Sequence, residues 1–452
     1  MSTLIGALLS LLLISAAGVA SAGTKPNLLI ILTDDHGYGD VSTYHASDVR
    51  TPHIDRLAAE GMLFTAMRAN ATVCSPSRAA LLTGRFPDRV GVPGVIRTDP
   101  GDSWGYLDPA VPTLADELRR AGYHTALVGK WHLGLESPNT PNERGFDLFH
   151  GFLGDMMDSY LTHLRQGRNY MRRNADVVSP SGHATEVFTA WAAEALREQA
   201  LRPDRPFFLY LAYNAPHFPI EPPAEWLARL RERSPQLDDR RARNAAFVEH
   251  LDDNVGRVLA VLAELGLDRN TVVAFTSDNG GSLPHGQNND PWRGGKQSHY
   301  DGGLRVPFVI RWPLGIPAGS RCDYPGLVFD LFPTFLELAG APRPIGLDAM
   351  SLLPALRGQP MPASRELYFV RREGGPAYGG KSYEALIRDG WKLMQNDPYS
   401  PLELYHLADD PYERRDLAAT RPEVLDEMKA ALRKHVQRGG SVPWQPPRQA
   451  PP

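Results

Sequence analysis

The chain has 452 residues, 42% of them hydrophobic, and its 48 Lys and Arg against 52 Asp and Glu leave a formal charge of −4. That length buries at least one large core and allows two or three domains. There is no basic excess to form a nucleic-acid surface, so no nucleic-acid partner is expected, and no internal repeat or heptad run points to a solenoid or a coiled coil.

The first apolar stretch, residues 4–19, is followed by Ala20-Ser21-Ala22 and Gly23. It reads as a signal peptide over 1–22, although residues 1–3 carry no Lys or Arg. The stretch is short for a span and rich in Gly, Ala and Ser, and no Cys lies near the cleavage site. The protein is therefore expected to be exported, periplasmic or extracellular, without a stable membrane anchor. Four later apolar runs, at 27–32, 124–129, 207–213 and 271–276, have the near-continuous character of strands buried on both faces. Helical patterns lie between them. Residues 111–122 carry Leu114, Leu118 and Ala121 on one face, and 245–265 carry a stripe through Phe247, Leu251, Val255, Val258 and Leu262. Strands alternating with helices predict an α/β fold, a doubly wound and mostly parallel sheet flanked by helices, over 23–343.

Composition shifts at 340–344. Beyond it, 366–370, 383–388, 391–394 and 404–407 read as short strands. Asp389-Gly390 is a hairpin turn, and a helix is expected over 422–436. This predicts a smaller C-terminal antiparallel sheet plus helix over 344–440. The Pro-rich tail, 441–452, is expected to lack structure.

Each apolar run of the large domain ends in reactive groups: Asp34 and Asp35, Lys130 and His132, His217, and Asp278 and Asn279. Open α/β sheets bind ligands beyond the carboxyl ends of their strands. Adjacent carboxylates such as Asp34-Asp35 are unfavourable unless a cation sits between them. With Asp278 and Asn279 they make an all-oxygen set suited to a hard divalent ion, and flexible side-chain coordination favours Ca2+ over Mg2+. No His or Cys cluster suggests zinc.

Cys74-Ser75-Pro76-Ser77-Arg78 is expected to open a helix, whose N–H groups and dipole favour anions. Arg78 lies one turn after Cys74 on the same face. Lys130 and His132, one residue apart, point the same way if their segment is extended. Lys296 follows Gly294-Gly295, where backbone can approach an anion closely. Cys322, in an expected loop, is the second of 2 cysteines. A disulfide is the simple reading; a chemically modified Cys74 would leave Cys322 free, and that reading is preferred here.

The Cys74–Arg78 stretch resembles the signature in which sulfatases oxidise Cys to Cα-formylglycine. Together with Thr51-Pro52-His53-Ile54-Asp55, Gly129-Lys130-Trp131-His132-Leu133-Gly134 and Leu404-Tyr405-His406-Leu407, it makes the chain from about 25 to 417 resemble the type I sulfatases of the alkaline phosphatase superfamily, among them arylsulfatases and N-acetylgalactosamine-6-sulfatases. The resemblance implies a formylglycine-generating maturation enzyme as partner and a sulfated small molecule or glycan as substrate. It implies that Asp34, Asp35, Asp278, Asn279 and modified Cys74 bind one Ca2+, with Arg78, Lys130, His132, His217 and Lys296 around nucleophile and sulfate. His217 would protonate the leaving alcohol, and His132 would take a proton from the second hydroxyl of the hydrated aldehyde. A carbohydrate sulfate is the expected ester, with aryl sulfates or the phosphodiesters and phosphonate monoesters of related hydrolases as alternatives. Asn279 after Asp278 favours a sulfatase. Substrate contacts are sought at Arg97, Asp99, Trp104, Asp155, His163, Arg293 and His299. The cluster Arg165, Arg168, Arg172 and Arg173 is either an anionic-glycan surface or a solvated face.

Overall fold

The structure is a computed structural model and describes residues 25–373 and 382–445. The expected signal peptide and residues 446–452 of the tail lie outside the described residues. In chain order the strands are β1 (Asn27–Thr33), β2 (Met62–Phe64), β3 (His124–Lys130), β4 (Leu148–Phe152), β5 (Leu164–Arg165), β6 (Arg168–Asn169), β7 (Met171–Arg173), β8 (Asp176–Val177), β9 (Phe207–Ala212), β10 (Thr271–Ser277), β11 (Phe308–Arg311), β12 (Ser320–Cys322), β13 (Leu367–Arg372), β14 (Ser382–Arg388), β15 (Trp391–Met394) and β16 (Glu403–His406). The helices are α1 (Pro52–Glu60), α2 (Cys74–Thr83), α3 (Leu114–Arg120), α4 (Ala184–Ala200), α5 (Ala224–Arg233), α6 (Asp239–Glu264), α7 (Asp301–Leu304), α8 (Leu331–Leu338), α9 (Leu353–Leu356) and α10 (Pro422–Gly439).

The large sheet runs β12-β2-β11-β10-β1-β9-β3-β4-β7-β8. Its centre, β10-β1-β9-β3-β4, is parallel throughout. Short strands extend it on both sides, beginning antiparallel at β11 and β7. The apolar run of β1 explains the layering. Leu28, Ile30 and Leu32 face a core shared with Leu81 of α2, Leu118 of α3 and Phe332 of α8. Leu29 and Ile31 face a second core with Leu57 of α1, Trp191 of α4 and Phe247 of α6. Each such side chain contributes about 1.5–3 kcal/mol on burial, so a strand apolar from Leu28 to Leu32 is held from both sides.

Two helices differ from their predicted bounds. The one expected over 111–122 is the shorter α3, started by a capping box in which Thr113 and Asp116 satisfy each other's backbone N–H groups. The one expected over 245–265 is the longer α6, capped by Asp238. Its first turns bury Ala242, Ala245 and Ala246 in a small core with Leu230 of α5, a contact with no local sequence signal. Cys322 is not in a loop: it ends β12, paired with Phe64 of β2. Both cysteines are free.

The second sheet, β13-β14-β15-β16, is antiparallel. Its β14–β15 turn holds Asp389 at φ 50° and Gly390 at φ 80°, the left-handed pair of a tight hairpin. Met428, Ala431 and Leu432 of α10 share its core with Leu386 and Leu393. The tail is ordered further than its composition predicts. Trp444 lies 5.3 Å from Trp104, and Gln445 donates to the Ser103 carbonyl at 2.7 Å, so aromatic burial outweighs proline there.

A buried ion network joins the two sheets. Asp301 of α7 receives Arg68 at 2.6 Å, Arg305 at 2.9 Å and Lys392 of β15 at 2.9 Å. Lys392 also reaches Glu413 at 2.6 Å, and Glu413 accepts the Asp301 N–H at 2.7 Å. Lys392 and Glu413 are both 0% exposed, and Lys392 is the cation that answers the Glu413 charge. Lys392→Met should destabilise the protein by about 3–5 kcal/mol, because Glu413 keeps its burial and loses its cation. Denaturant unfolding measures this, and an unchanged midpoint would contradict it.

Candidate active site

Since β1, β3, β9 and β10 are parallel and contiguous, their carboxyl ends share one edge of the sheet. Asp34 and Asp35 follow β1, Lys130 ends β3, His217 lies in the loop after β9, and Asp278-Asn279 follow β10. Cys74 is the first residue of α2 and is buried. Its sulfur lies 3.3 Å from Asp34 Oδ1, 4.0 Å from Asp35 Oδ1 and 3.9 Å from Lys296 Nζ.

The carboxylates each take a cation. Lys130 Nζ meets Asp34 at 2.5 Å, Lys296 Nζ meets Asp35 at 2.7 Å, and Arg78 meets Asp278 through Nε at 2.9 Å and Nη2 at 2.8 Å. Asp278 Oδ1 accepts the Asp35 N–H at 3.2 Å, with Asp35 in the left-handed region at φ 62°. Asn279 donates to Asp35 Oδ1 at 2.8 Å, while its own Oδ1 is buried without a partner. One ligand atom from each of Asp34, Asp35, Cys74 and His217 lies within 4.8 Å of the others, a grouping that could hold a metal ion. It differs from the predicted set in containing His217, while Asp278 is engaged by Arg78 and Asn279 points its amide nitrogen at Asp35.

Both histidines are oriented by carbonyl groups. His217 Nδ1 donates to the Phe218 carbonyl at 2.6 Å, which leaves Nε2 facing Asp35 Oδ2 at 3.5 Å. His132 Nε2 donates to the Ile96 carbonyl at 2.7 Å, which leaves Nδ1 without a partner. A carbonyl only accepts, so these bonds fix the neutral tautomers. Ile96 is itself held by its N–H to Ser75 Oγ at 3.1 Å, so the residue after Cys74 sets the position of His132.

One local expectation changes. Lys130 and His132 do not belong to one extended segment: His132 has φ 60°, bent by its N–H to the Leu153 carbonyl. The glycines before Lys296 are also required by loop packing. A Cβ on Gly295 would meet the Gly281 carbonyl oxygen at 2.6 Å, and one on Gly294, at φ 76°, would meet Ser298 Oγ at 2.9 Å.

Burial and the Asp34 charge push the Cys74 thiol well above its ordinary pKa, outweighing Lys130 and Lys296. An unmodified Cys74 is thus a protonated, weakly nucleophilic thiol. Burial favours a neutral Asp34, but Lys130, His217, Arg78 and Lys296 together hold its carboxyl well below the usual range. Burial and Asp34 push Asp278 the other way, upward, despite Arg78. Burial and Lys296 lower His217 to about 4, and burial with Lys130 and Arg78 lowers His132 well below its ordinary value. Both imidazoles are neutral at rest.

Above the sulfur lies a cavity of about 250 Å3 lined by Cys74, His132, His217 and Lys296, with Val73, Val95, Met156 and Phe218 and the polar Arg97, Asp155, Arg165, Gln297 and Arg371. Of the proposed substrate contacts, Arg97 and Asp155 line it. Asp99, Trp104, His163, Arg293 and His299 do not. His163 is tied to the Gly182 carbonyl, and Arg293 to Tyr405 and the Glu413 carbonyl. The arginine cluster disperses: Arg165 pairs with Asp155 in the cavity wall, Arg173 pairs with Glu194, and Arg172 donates to its own turn. Arg371 and its partner Glu373 went unnoticed in the sequence because they arrive from β13, in the other sheet. Ser75 carried a usable signal, a hydroxyl inside the pentapeptide.

The sulfatase family model matches residues 26–341, and the model of the C-terminal region of N-sulphoglucosamine sulphohydrolase matches residues 294–438. The chain belongs to the sulfatase family. It is 33% identical to N-acetylgalactosamine-6-sulfatase of Canis lupus familiaris over 93% of this chain and 87% of that one. It is 32% identical to steryl-sulfatase of Mus musculus over 96% and 86%. Among solved structures, Ps i-CgsB in complex with k-i-k-neocarrahexaose superimposes with a TM-score of 0.85 at 30% identity, covering 93% of this chain and 95% of that one. The protein is a sulfuric ester hydrolase. Among the described residues, no helix is long and apolar enough to cross a membrane.

Proposed function

We propose that this sulfatase hydrolyses carbohydrate sulfates, with Cys74 converted to formylglycine and one Ca2+ held by Asp34, Asp35, Asp278, Asn279 and residue 74. The observation that carries the substrate class is the cavity beside Cys74, whose wall presents Arg97, Asp155, Arg165, Gln297 and Arg371. Such groups hydrogen-bond sugar hydroxyls, whereas a sterol or simple aryl ester calls for mainly apolar walls. Relatives named N-acetylgalactosamine-6-sulfatase and a neighbour in complex with k-i-k-neocarrahexaose support it. The expected export and the maturation enzyme belong to the same reading.

The residues fit a hard divalent ion. Three buried carboxylates meet within one site, and Asn279 Oδ1 is a buried oxygen lacking any donor. Burial and Asp34 drive Asp278 toward its protonated form, a tendency a cation among the carboxylates reverses. Bound there, Ca2+ would supply charge to the sulfate oxygens. Formylglycine would supply a hydrated aldehyde oxygen where the thiol now lies, which suits an oxygen-preferring cation better than sulfur.

The chain's own groups then divide the work. Lys296, 3.9 Å from the Cys74 sulfur, and Lys130 and Arg78 around Asp34 hold positive charge where negative charge grows. His217 presents Nε2 to the cavity, and an arriving sulfate raises its proton affinity, so that it holds the proton given to the departing alcohol. His132 keeps Nδ1 free as a base for residue 74. The 23–343 region carries these groups, while 344–440 completes the wall through Arg371.

Protein made with a maturation enzyme should show an aldehyde at Cys74 by mass spectrometry of peptide 69–78 and release sulfate from a sulfated sugar. Full activity with an intact, alkylatable thiol would sink the proposal. Asp35→Ala should lose Ca2+ and turnover together, measured by elemental analysis and sulfate release; undiminished metal content excludes this site. His217→Ala should slow a sugar sulfate about 100-fold or more, yet a nitrophenyl sulfate far less, because the phenol leaves without a proton. Equal losses on both esters would contradict the assignment.

A further inference from the structure

The charges of the cavity wall go beyond what hydroxyl binding requires. Arg165 is neutralised within that wall: its Nε and Nη2 reach the two oxygens of Asp155 at 2.9 and 3.2 Å, and Nη1 reaches Asp158 at 3.0 Å. Arg97 and Arg371 are arranged differently. Both meet one carboxylate, Glu373, Arg371 through Nε to Oε1 at 2.7 Å and Arg97 through Nη2 to Oε2. Glu373 and Arg371 are each 1% exposed. Among the described residues a second acid, Asp102, meets Arg97 Nε at 3.3 Å from a side chain 38% exposed, where water screens it. Two guanidinium charges therefore share one buried carboxylate, and the trio carries a net positive charge. Lys296, Lys130 and Arg78 bring no such excess, since each has its own carboxylate.

The two guanidinium groups are also held in place. Arg371 lies over the Tyr383 ring at 5.6 Å, and Glu373 bridges it to Arg97. Fixed, planar donor forks bind oxyanions at low entropic cost, and a wall of low dielectric strengthens the attraction.

We propose that Arg97 and Arg371, bridged by Glu373, form a subsite for a second anionic group of the substrate, a sulfate or carboxylate on the sugar bearing the scissile ester or on its neighbour. This rests on the carbohydrate sulfatase reading above. Glu373 acts here as a positioning residue, spacing the guanidiniums while cancelling one charge.

Matured enzyme is assayed on three probes: N-acetylgalactosamine 6-sulfate, N-acetylgalactosamine 4,6-disulfate, and a disaccharide joining the 6-sulfated hexosamine to a uronate. The wild type should favour one dianionic probe by about tenfold or more in kcat/KM, mainly through KM, and that arm identifies the group. Arg371→Met and Arg97→Met should each lower kcat/KM on the favoured probe at least about tenfold more than on the monosulfate, which loses only the hydroxyl contacts these side chains make. Raising salt should narrow the wild-type preference. Glu373→Gln keeps the side-chain shape and removes the competing charge, so it should widen the preference. That variant keeps the test decisive where an arginine variant fails to fold. Wild-type indifference to the second charge, equal losses on all three probes, or a preference narrowed by Glu373→Gln would overturn the subsite while monosulfate turnover still supports the sulfatase reading. No turnover of any sulfate ester, with the aldehyde confirmed, would overturn both.

Discussion

Asp34, Asp35 and Asp278 lie buried at the ends of the adjacent parallel strands β1 and β10, a few ångströms apart. Like charges that close are strongly unfavourable at low dielectric unless each is answered. The protein answers them one to one, with Lys130, Lys296 and Arg78. These cations come from three different places, the end of β3, the loop before α7 and the second turn of α2, so the pairing constrains where all those elements lie. The resting site is close to charge balance. A divalent cation, bound as proposed, would add the charge needed to match a sulfate ester and the charge that develops on the departing oxygen.

Cys74 depends on the same balance. Its position at the first residue of α2 leaves backbone N–H groups without intrahelical partners beside it, a setting that ordinarily activates a thiolate. Here burial and the nearby Asp34 win, and the thiol is held protonated. The site is therefore poorly suited to sulfur nucleophilicity and well suited to an oxygen nucleophile among cations. The electrostatics of the unmodified residue carry that argument alongside the pentapeptide itself.

Much of this was legible in the sequence because the informative residues sit at the ends of locally recognisable elements. An apolar run long enough to be a buried strand, followed by Asp-Asp or Asp-Asn, specifies both the strand and what it delivers. The mostly parallel sheet and the small antiparallel sheet with its helix followed from the same reading. What escaped was non-local. The polar beginning of α6 is stabilised by α5, and β12 exists only because β2 offers it an edge. The tight bend at His132 depends on the Leu153 carbonyl, and the turn that holds Ile96 depends on Ser75. His163, Arg293 and His299 were proposed for the pocket on sequence proximity to motifs, and backbone geometry sends them elsewhere.

The cavity wall shows the same division. Groups close to the Cys74 sulfur come from strand ends of the large sheet, whose strands are packed between two cores, so a shift by one residue would misfit both packing layers and displace the groups at the strand ends. The outer wall is assembled from Arg97 in the loop after α2, Asp155 and Arg165 around β5, and Arg371 from the second sheet. These segments are tied down by ion pairs and by the buried Asp301–Lys392–Glu413 network rather than by strand pairing across the site. Ion pairs tolerate exchange of one residue together with its partner more readily than a strand tolerates a change of register. A fold built this way can keep the groups around sulfur fixed and alter what surrounds the sugar, and relatives named for an amino-sugar sulfate and a steryl sulfate at similar identity to this chain fit that physical separation.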